Sequence, residues 1–224
     1  MTDLAIDLTP NAQPVCSRPR PADLAEATID LPLSMPLVLD LDGTLIKGDL
    51  LYISFFSILR RNPLIVFSCA VWLLRGRPAL KRQLALRNRI DWDRLRLNRD
   101  VVALAQREKA AGRSIVLATA ADAILAGQLA SRLGLFDQVF ASDGEQNLKG
   151  RAKACLLRKR YPQGFIYAGD SKADLSVWRH ADGVIVVNAS PSVAEAARML
   201  GRPMLELSDD TVGRLGRSSP ADQS

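Results

Sequence analysis

The sequence predicts an α/β domain: a parallel sheet with helices on both faces, plus an all-helical segment inserted after the first strand. Two observations predict it. Apolar runs of strand length recur along the chain with helical segments between them, and a strand-then-helix alternation of that kind builds a parallel sheet covered on both sides. The stretch from Ile46 to about Arg113 breaks the alternation and reads as consecutive helices.

The first strand is Pro36-Leu37-Val38-Leu39, which stops abruptly at Asp40-Leu41-Asp42-Gly43. A buried strand opening into a polar, glycine-containing turn is how such domains present a site at a strand's carboxyl end. Further strands are predicted at Ser114–Thr119, Gln138–Ala141, Phe165–Gly169 and Val184–Val187. The intervening helices are Ala121–Leu133, which stops at Gly134, then Gly150–Arg160, Ala173–His180 and Ser192–Leu200. In the insertion the helices are Leu50–Leu59, Leu64–Leu74, Ala79–Arg89 and Asp100–Ala110, punctuated by Pro63 and by Gly76-Arg77-Pro78. The domain plan is a flexible leader over residues 1–34 with a short helix near Ala22–Ala27, a core of 35–45 and 114–207, a helical cap of 46–113, and a polar tail of 208–224.

Charge is unevenly placed. From Ile46 to Arg99 there are 12 Lys/Arg against three acids, so the net +6 of the chain is a neutral-to-acidic body carrying one basic segment. An anionic partner belongs on that segment. Aromatics make up only 5% of the residues, which argues against a nucleic-acid binder that stacks bases. Cys16, Cys69 and Cys155 have neither paired nor metal-ligand spacing, as expected of reduced thiols in a cytoplasmic compartment. The first ten residues lack the basic start and apolar run of a secretory signal.

The chemistry is concentrated in Asp40-Leu41-Asp42-Gly43-Thr44-Leu45. Carboxylates at i and i+2 on an extended segment project to the same side. Such a pair gathers a hard divalent cation and offers one nucleophile and one acid/base; Mg²⁺, which favours a few carboxylates, waters and phosphate oxygens, suits it. Gly43 lets the chain turn closely under a phosphate. A strand-ending Asx turn is the structural alternative for the two acids taken alone.

DLDGTL resembles the first motif of haloacid dehalogenase (HAD) phosphatases, and three further family motifs follow in order. Ile115–Thr119 is similar to the second, with Thr119 and the adjoining backbone of Ala120 as phosphate binders; a helix cap is the plain alternative for Thr119. Asn147-Leu148-Lys149-Gly150 supplies the third, a charge-offsetting lysine, with Lys153 as a rival to Lys149. Gly169-Asp170-Ser171-Lys172-Ala173-Asp174 resembles the fourth. The resemblance implies a Rossmann-like HAD core, Asp40 as nucleophile, Asp42 as acid/base, Asp40, Asp42 and Asp170 on Mg²⁺, and Asp174 in a supporting role. His180, the only histidine, and Trp72, Trp92 and Trp178 read as capping and packing residues.

The cap helices Leu50–Leu59 and Leu64–Leu74 are apolar almost all round, yet eleven helical residues reach only about 16 Å, half a bilayer core. They are either buried in the cap or a dimer interface, or they form a hairpin that dips into one leaflet with Arg60, Arg61, Arg75, Arg77, Lys81 and Arg82 at the headgroups. LLRGRPALKRQLA and YAGDSKADLSVWRHADGVIVVN look like the HAD domain fused to UbiA-type polyprenyl transferases, and the cap is similar to that of phosphatidylglycerophosphate phosphatases. That resemblance implies a lipid-linked phosphomonoester, a peripheral place on the inner face of the cell membrane through residues 50–82, and a membrane prenyltransferase as partner. A soluble small-metabolite phosphatase similar to phosphoserine phosphatase, and a non-catalytic regulatory domain, are the alternatives.

Overall fold

Apolar runs without polar alternation make strands that are buried on both faces. The computed structural model describes residues 30–60, 62–87 and 90–208 and contains six strands: β1 (Leu37–Leu39), β2 (Ile115–Asp122), β3 (Gln138–Ser142), β4 (Ile166–Gly169), β5 (Gly183–Val187) and β6 (Met204–Leu207), of which β1, β4 and β5 are buried throughout. All pair in parallel, in the order β3-β2-β1-β4-β5-β6. Val38 stands beside Val116 on one side and Tyr167 on the other.

Alternate residues of each strand feed two separate cores. Leu37, Leu39, Ile115, Leu117 and Ile185 pack with α4 (Arg99–Ala110) and α5 (Ala123–Leu133). Val38, Val116, Tyr167, Val184 and Val186 pack on the opposite face with α6 (Arg151–Arg160), α7 (Leu175–Trp178) and α8 (Pro191–Arg198). Asp122 caps α5 by accepting the Ile124 N–H at 2.9 Å, and Gly134 ends it in the left-handed conformation.

The cap comprises α1 (Leu50–Leu59), α2 (Ile65–Leu74) and α3 (Arg77–Arg87), followed by a 3₁₀ turn at Trp92–Arg94. Ile58, Ile65 and Leu84 form its small core. Its stem is a pair of backbone bonds, Lys47 N–H to the Arg96 carbonyl and Asn98 N–H to the Leu45 carbonyl, both 2.8 Å. On the far side α3 rests on the core, where Arg82 pairs with Asp122 at 3.2 Å. Among the described residues no helix is long and apolar enough to cross a membrane.

Three features differ from the sequence expectation. β2 runs on to Asp122, because Ala120 and Ala121 stay extended before the capping aspartate. β6 (MLEL) is a short, half-exposed edge strand with no apolar run to announce it. α4, grouped with the cap in the sequence reading, buries Val101, Leu104 and Ala105 on the sheet and therefore belongs to the core. The helix expected near Ala22–Ala27, most of the leader, the tail beyond residue 208, Arg61 and Cys16 lie outside the described residues.

The chain enters β1 through one buried cation. Arg113 donates to Glu108 at 2.7 Å and to the carbonyls of Leu31, Pro32 and Met35 at 3.0, 2.7 and 2.8 Å. Arg113→Ala leaves Glu108 and those carbonyls without their donor, so we expect a loss of about 3 kcal/mol or more in urea-unfolding stability. A change below about 1 kcal/mol would contradict this role.

Candidate active site

β1 and β4 are neighbours, and the chain leaves them toward opposite halves of the sheet. That is the switch point of an α/β fold, where the strands' carboxyl ends open a crevice. Asp40 follows β1 directly and keeps its N–H on the Ala168 carbonyl of β4 at 3.0 Å. Asp170 follows β4. As a result Asp40, Asp170 and Asp174 each bring a carboxylate oxygen within 4.8 Å of the others.

Two glycines make that crowding sterically possible. A Cβ on Gly43 would stand 2.2 Å from Asp170 Oδ2, and one on Gly169 would stand 2.7 Å from Asp174 Cγ. Gly43 also holds φ at +77°, where side chains are disfavoured. Asp174 Oδ2 accepts the Ser171 hydroxyl and N–H at 2.7 and 3.0 Å, which folds the turn back beneath Asp170.

The cation against Asp40 is Lys153, not Lys149. Lys153 Nζ donates to Asp40 Oδ1 and to the Tyr167 hydroxyl, both at 2.8 Å, and that hydroxyl donates to Asp174 Oδ1 at 2.8 Å. The expectation of Lys149 fails for a geometric reason. Gly150 turns the chain at φ +54° and the helix starts at Arg151, so Lys149 precedes it and stands exposed at the cavity mouth. Lys153 falls on the buried stripe with Ala154 and Leu157. A lysine on an apolar helical stripe was the signal available in the sequence.

Asp42 lines the same cavity but stands outside the carboxylate cluster expected to hold an ion; Asp174 takes its place there. Asp42 Oδ1 instead accepts the Leu50 N–H at 2.8 Å, at the start of α1. Thr119 is fully buried and turns its hydroxyl to the Ala121 N–H at 2.9 Å; the wall here is formed by Ala120 and Ala121. Gly43 lines the cavity as expected.

The cavity, about 410 Å³, lies between core and cap. Sequence reasoning missed Tyr167 as a link in the charge network, and assigned no site role to the cap's contribution of Asp49, Ser54 and Lys81. Lys81 crosses from α3 to the Ala120 carbonyl at 2.6 Å and to Asn147 Oδ1 at 3.3 Å.

Burial raises the Asp40 carboxyl above its usual range, with Lys153 opposing. Asp42 is pushed up to about 7 by burial against the opposing Leu50 N–H. Asp170 is also pushed to about 7, by burial and then by Asp174 and Asp40. The cluster of Asp40, Asp170 and Asp174, with Lys153 as its directly paired cation, is short of positive charge, and Asp40 with Asp170 fits a hard divalent ion.

The same shifts fix a pH dependence. A carboxyl whose pKa is raised on folding costs nothing where both states are protonated and its full penalty above the folded value. The Asp170 contribution therefore declines as pH rises from about 4 through about 7. In chelator, Asp170→Asn should melt higher than the unaltered protein near pH 8, and the gap should close toward about pH 5. A gap independent of pH would refute the assignment.

Comparison with known proteins accords with this geometry. The family model described as haloacid dehalogenase-like hydrolase matches residues 37–179. An uncharacterized protein of Sinorhizobium fredii, y4nM, is 38% identical over 176 residues; the match takes in 79% of this chain, which spans only 34% of that protein's length. A Bordetella pertussis protein of unknown function superposes with a TM-score of 0.58 at 16% identity, covering 77% of this chain and 98% of the other. A phosphoserine phosphatase solved as a phospho-aspartyl intermediate analogue superposes with a TM-score of 0.52 at 18% identity, covering 78% and 93%. With the switch-point carboxylates in place and the family model spanning the catalytic core, the chain belongs to the haloacid dehalogenase-like hydrolases.

Proposed function

We propose that this hydrolase removes phosphate from phosphomonoesters through an aspartyl-phosphate on Asp40, with Mg²⁺ held by Asp40 and Asp170. The observation that carries the reading is the buried Lys153, bonded to the carboxylate at the end of β1 and backed by Tyr167 and Asp174. That arrangement orients Asp40 and offsets charge beside it as phosphorus is attacked. Magnesium, when bound, would screen the negative charge shared by phosphoryl oxygens and carboxylates.

In the first half-reaction an Asp40 carboxylate oxygen bonds to phosphorus, the ester P–O bond breaks, and Asp42 gives its proton to the departing alkoxide. In the second, Asp42 takes a proton from water, the water oxygen bonds to phosphorus, and the acyl-phosphate P–O bond breaks to restore Asp40 and release inorganic phosphate. A carboxyl poised at about 7 suits both directions of proton movement at neutral pH. Asp40→Asn should lower phosphate release by about 1000-fold or more with the fold intact. Asp42→Ala should slow alkyl phosphates by about 100-fold or more and p-nitrophenyl phosphate far less, since nitrophenolate leaves without a proton. Unchanged release by Asp40→Asn would end the reading.

For the finer substrate class, the cap supports a lipid-linked ester at a membrane face. α2 buries only Ile65, while Leu64, Phe67 and Leu74 are 69, 74 and 89% exposed. Tyr52, Phe56, Val71 and Leu73 extend this apolar surface, and Arg60, Arg75 and Arg77 punctuate it. An apolar patch mixed with arginines matches an anionic bilayer surface. A soluble metabolite would need no such surface. The protein should float with vesicles of anionic phospholipid, and the double variant Phe67→Asp with Leu74→Asp should lose at least about tenfold in binding. Self-association abolished by the same variant, without flotation of the unaltered chain, would assign the patch to a second copy.

A further inference from the structure

The cavity wall facing Asp42 holds polar groups that the phosphoryl chemistry does not use. Resting on the phosphatase reading above, we infer that Ser54, Lys81 and Lys149 form a leaving-group subsite selecting phosphomonoesters whose alcohol carries a second anionic group.

The geometry starts from Asp42. Its carboxylate holds the N–H of Leu50, the first residue of α1, and Ser54 lies about one helical turn further along the same buried stripe, about 6 Å on. Ser54 lines the cavity, and its hydroxyl is buried with no hydrogen-bond partner among the described residues. A buried hydroxyl left unpaired costs about 1–3 kcal/mol, so its presence here is explained by a ligand that completes it. Leu50, Leu51, Leu84 and Leu125 line the same cavity and give a leaving group apolar surface beside the polar groups.

The charge requirement comes from the two lysines. Lys81 on α3 and Lys149 on the core both line the cavity; Lys81 feels Asp42 and Asp49 first and the like charge of Lys149 after them. Lys81 uses donors on Ala120 and Asn147, both uncharged acceptors, which leaves a third N–H. Neither lysine makes a salt bridge among the described residues, whereas Lys153 spends its charge on Asp40. An anion that reaches both Lys81 and Lys149 relieves their mutual repulsion and gains charge-assisted hydrogen bonds. A carboxylate on a hydroxy-acid ester and the phosphodiester of a lipid headgroup share this chemistry.

The test compares three alkyl phosphomonoesters at equal ionic strength. Glycerol 3-phosphate has a neutral leaving alcohol, 3-phosphoglycerate carries a carboxylate, and a short-chain phosphatidylglycerophosphate carries a phosphodiester. We expect kcat/KM for one or both anionic esters to exceed that for glycerol 3-phosphate by about tenfold or more. Which ester gains tells the hydroxy-acid source from the lipid source. Lys81→Met should lower that ratio by about tenfold, chiefly through KM, and Lys81→Arg should restore part of it. Lys149→Met, at an exposed position that does not endanger folding, should lower it in the same direction. Ser54→Ala should lower kcat/KM for the favoured ester by about fivefold or more. A preference absent in the unaltered enzyme, or a ratio unmoved by both lysine variants, overturns the subsite while p-nitrophenyl phosphate turnover keeps the phosphatase reading. Failure on p-nitrophenyl phosphate as well removes both.

Discussion

Three aspartates converge on one corner of the sheet, and the side chain that makes this tolerable is Lys153. Carboxylates brought this close at the ends of β1 and β4 repel one another and lose their water, as the upward shifts of Asp40 and Asp170 show. Lys153 answers Asp40 directly and reaches Asp174 through the Tyr167 hydroxyl. Taking out either charge of such a buried pair strands the other, so the lysine, the tyrosine and the two aspartates stand or fall together. The rest of the fold serves to bring them there. The parallel sheet sets Asp40 beside Asp170, α6 carries Lys153 to the corner, and α7 begins at Asp174.

Much of this was legible in the sequence because strands and their terminal acids leave local marks. The abrupt change from Leu39 to Asp40 and from Gly169 to Asp170 fixed two sheet ends, and the strand–helix alternation implied that the sheet is parallel. What was not legible depends on helix phase and on contacts distant in sequence. Lys149 and Lys153 differ by one turn, and only the start of α6 at Arg151 decides which faces inward. Asp42 and Asp174 exchanged roles in the carboxylate cluster because α1 offers Asp42 an N–H that no motif encodes. Thr119 turned inward because β2 continues to Asp122. The packing of α4 on the sheet follows from Val101, Leu104 and Ala105, a stripe that a cap helix could equally have shown.

The cap presents different chemistry to its two sides. α1 and α3 are two-faced: Leu50, Ser54, Lys81 and Leu84 look into the cavity, while Tyr52, Phe56 and Leu86 look out. One set of helices thus borders both the cavity and the outer surface. The inner face is polar at selected points and the outer face is apolar, the reverse of an ordinary surface helix.

The cap is tied down at two places of different character. At the stem, backbone bonds join Lys47 to Arg96 and Leu45 to Asn98 in a short two-chain ribbon, insensitive to ions. At the opposite side Arg82 meets Asp122 and Lys81 meets the Ala120 carbonyl, contacts made by charged side chains, with Arg82 partly open to solvent. Swinging the cap away would therefore bend the ribbon while releasing the charged clasp. Dissolved electrolyte weakens such a clasp and leaves the ribbon alone, so how firmly the cap is held over the cavity becomes a property of the surrounding medium as well as of the polypeptide.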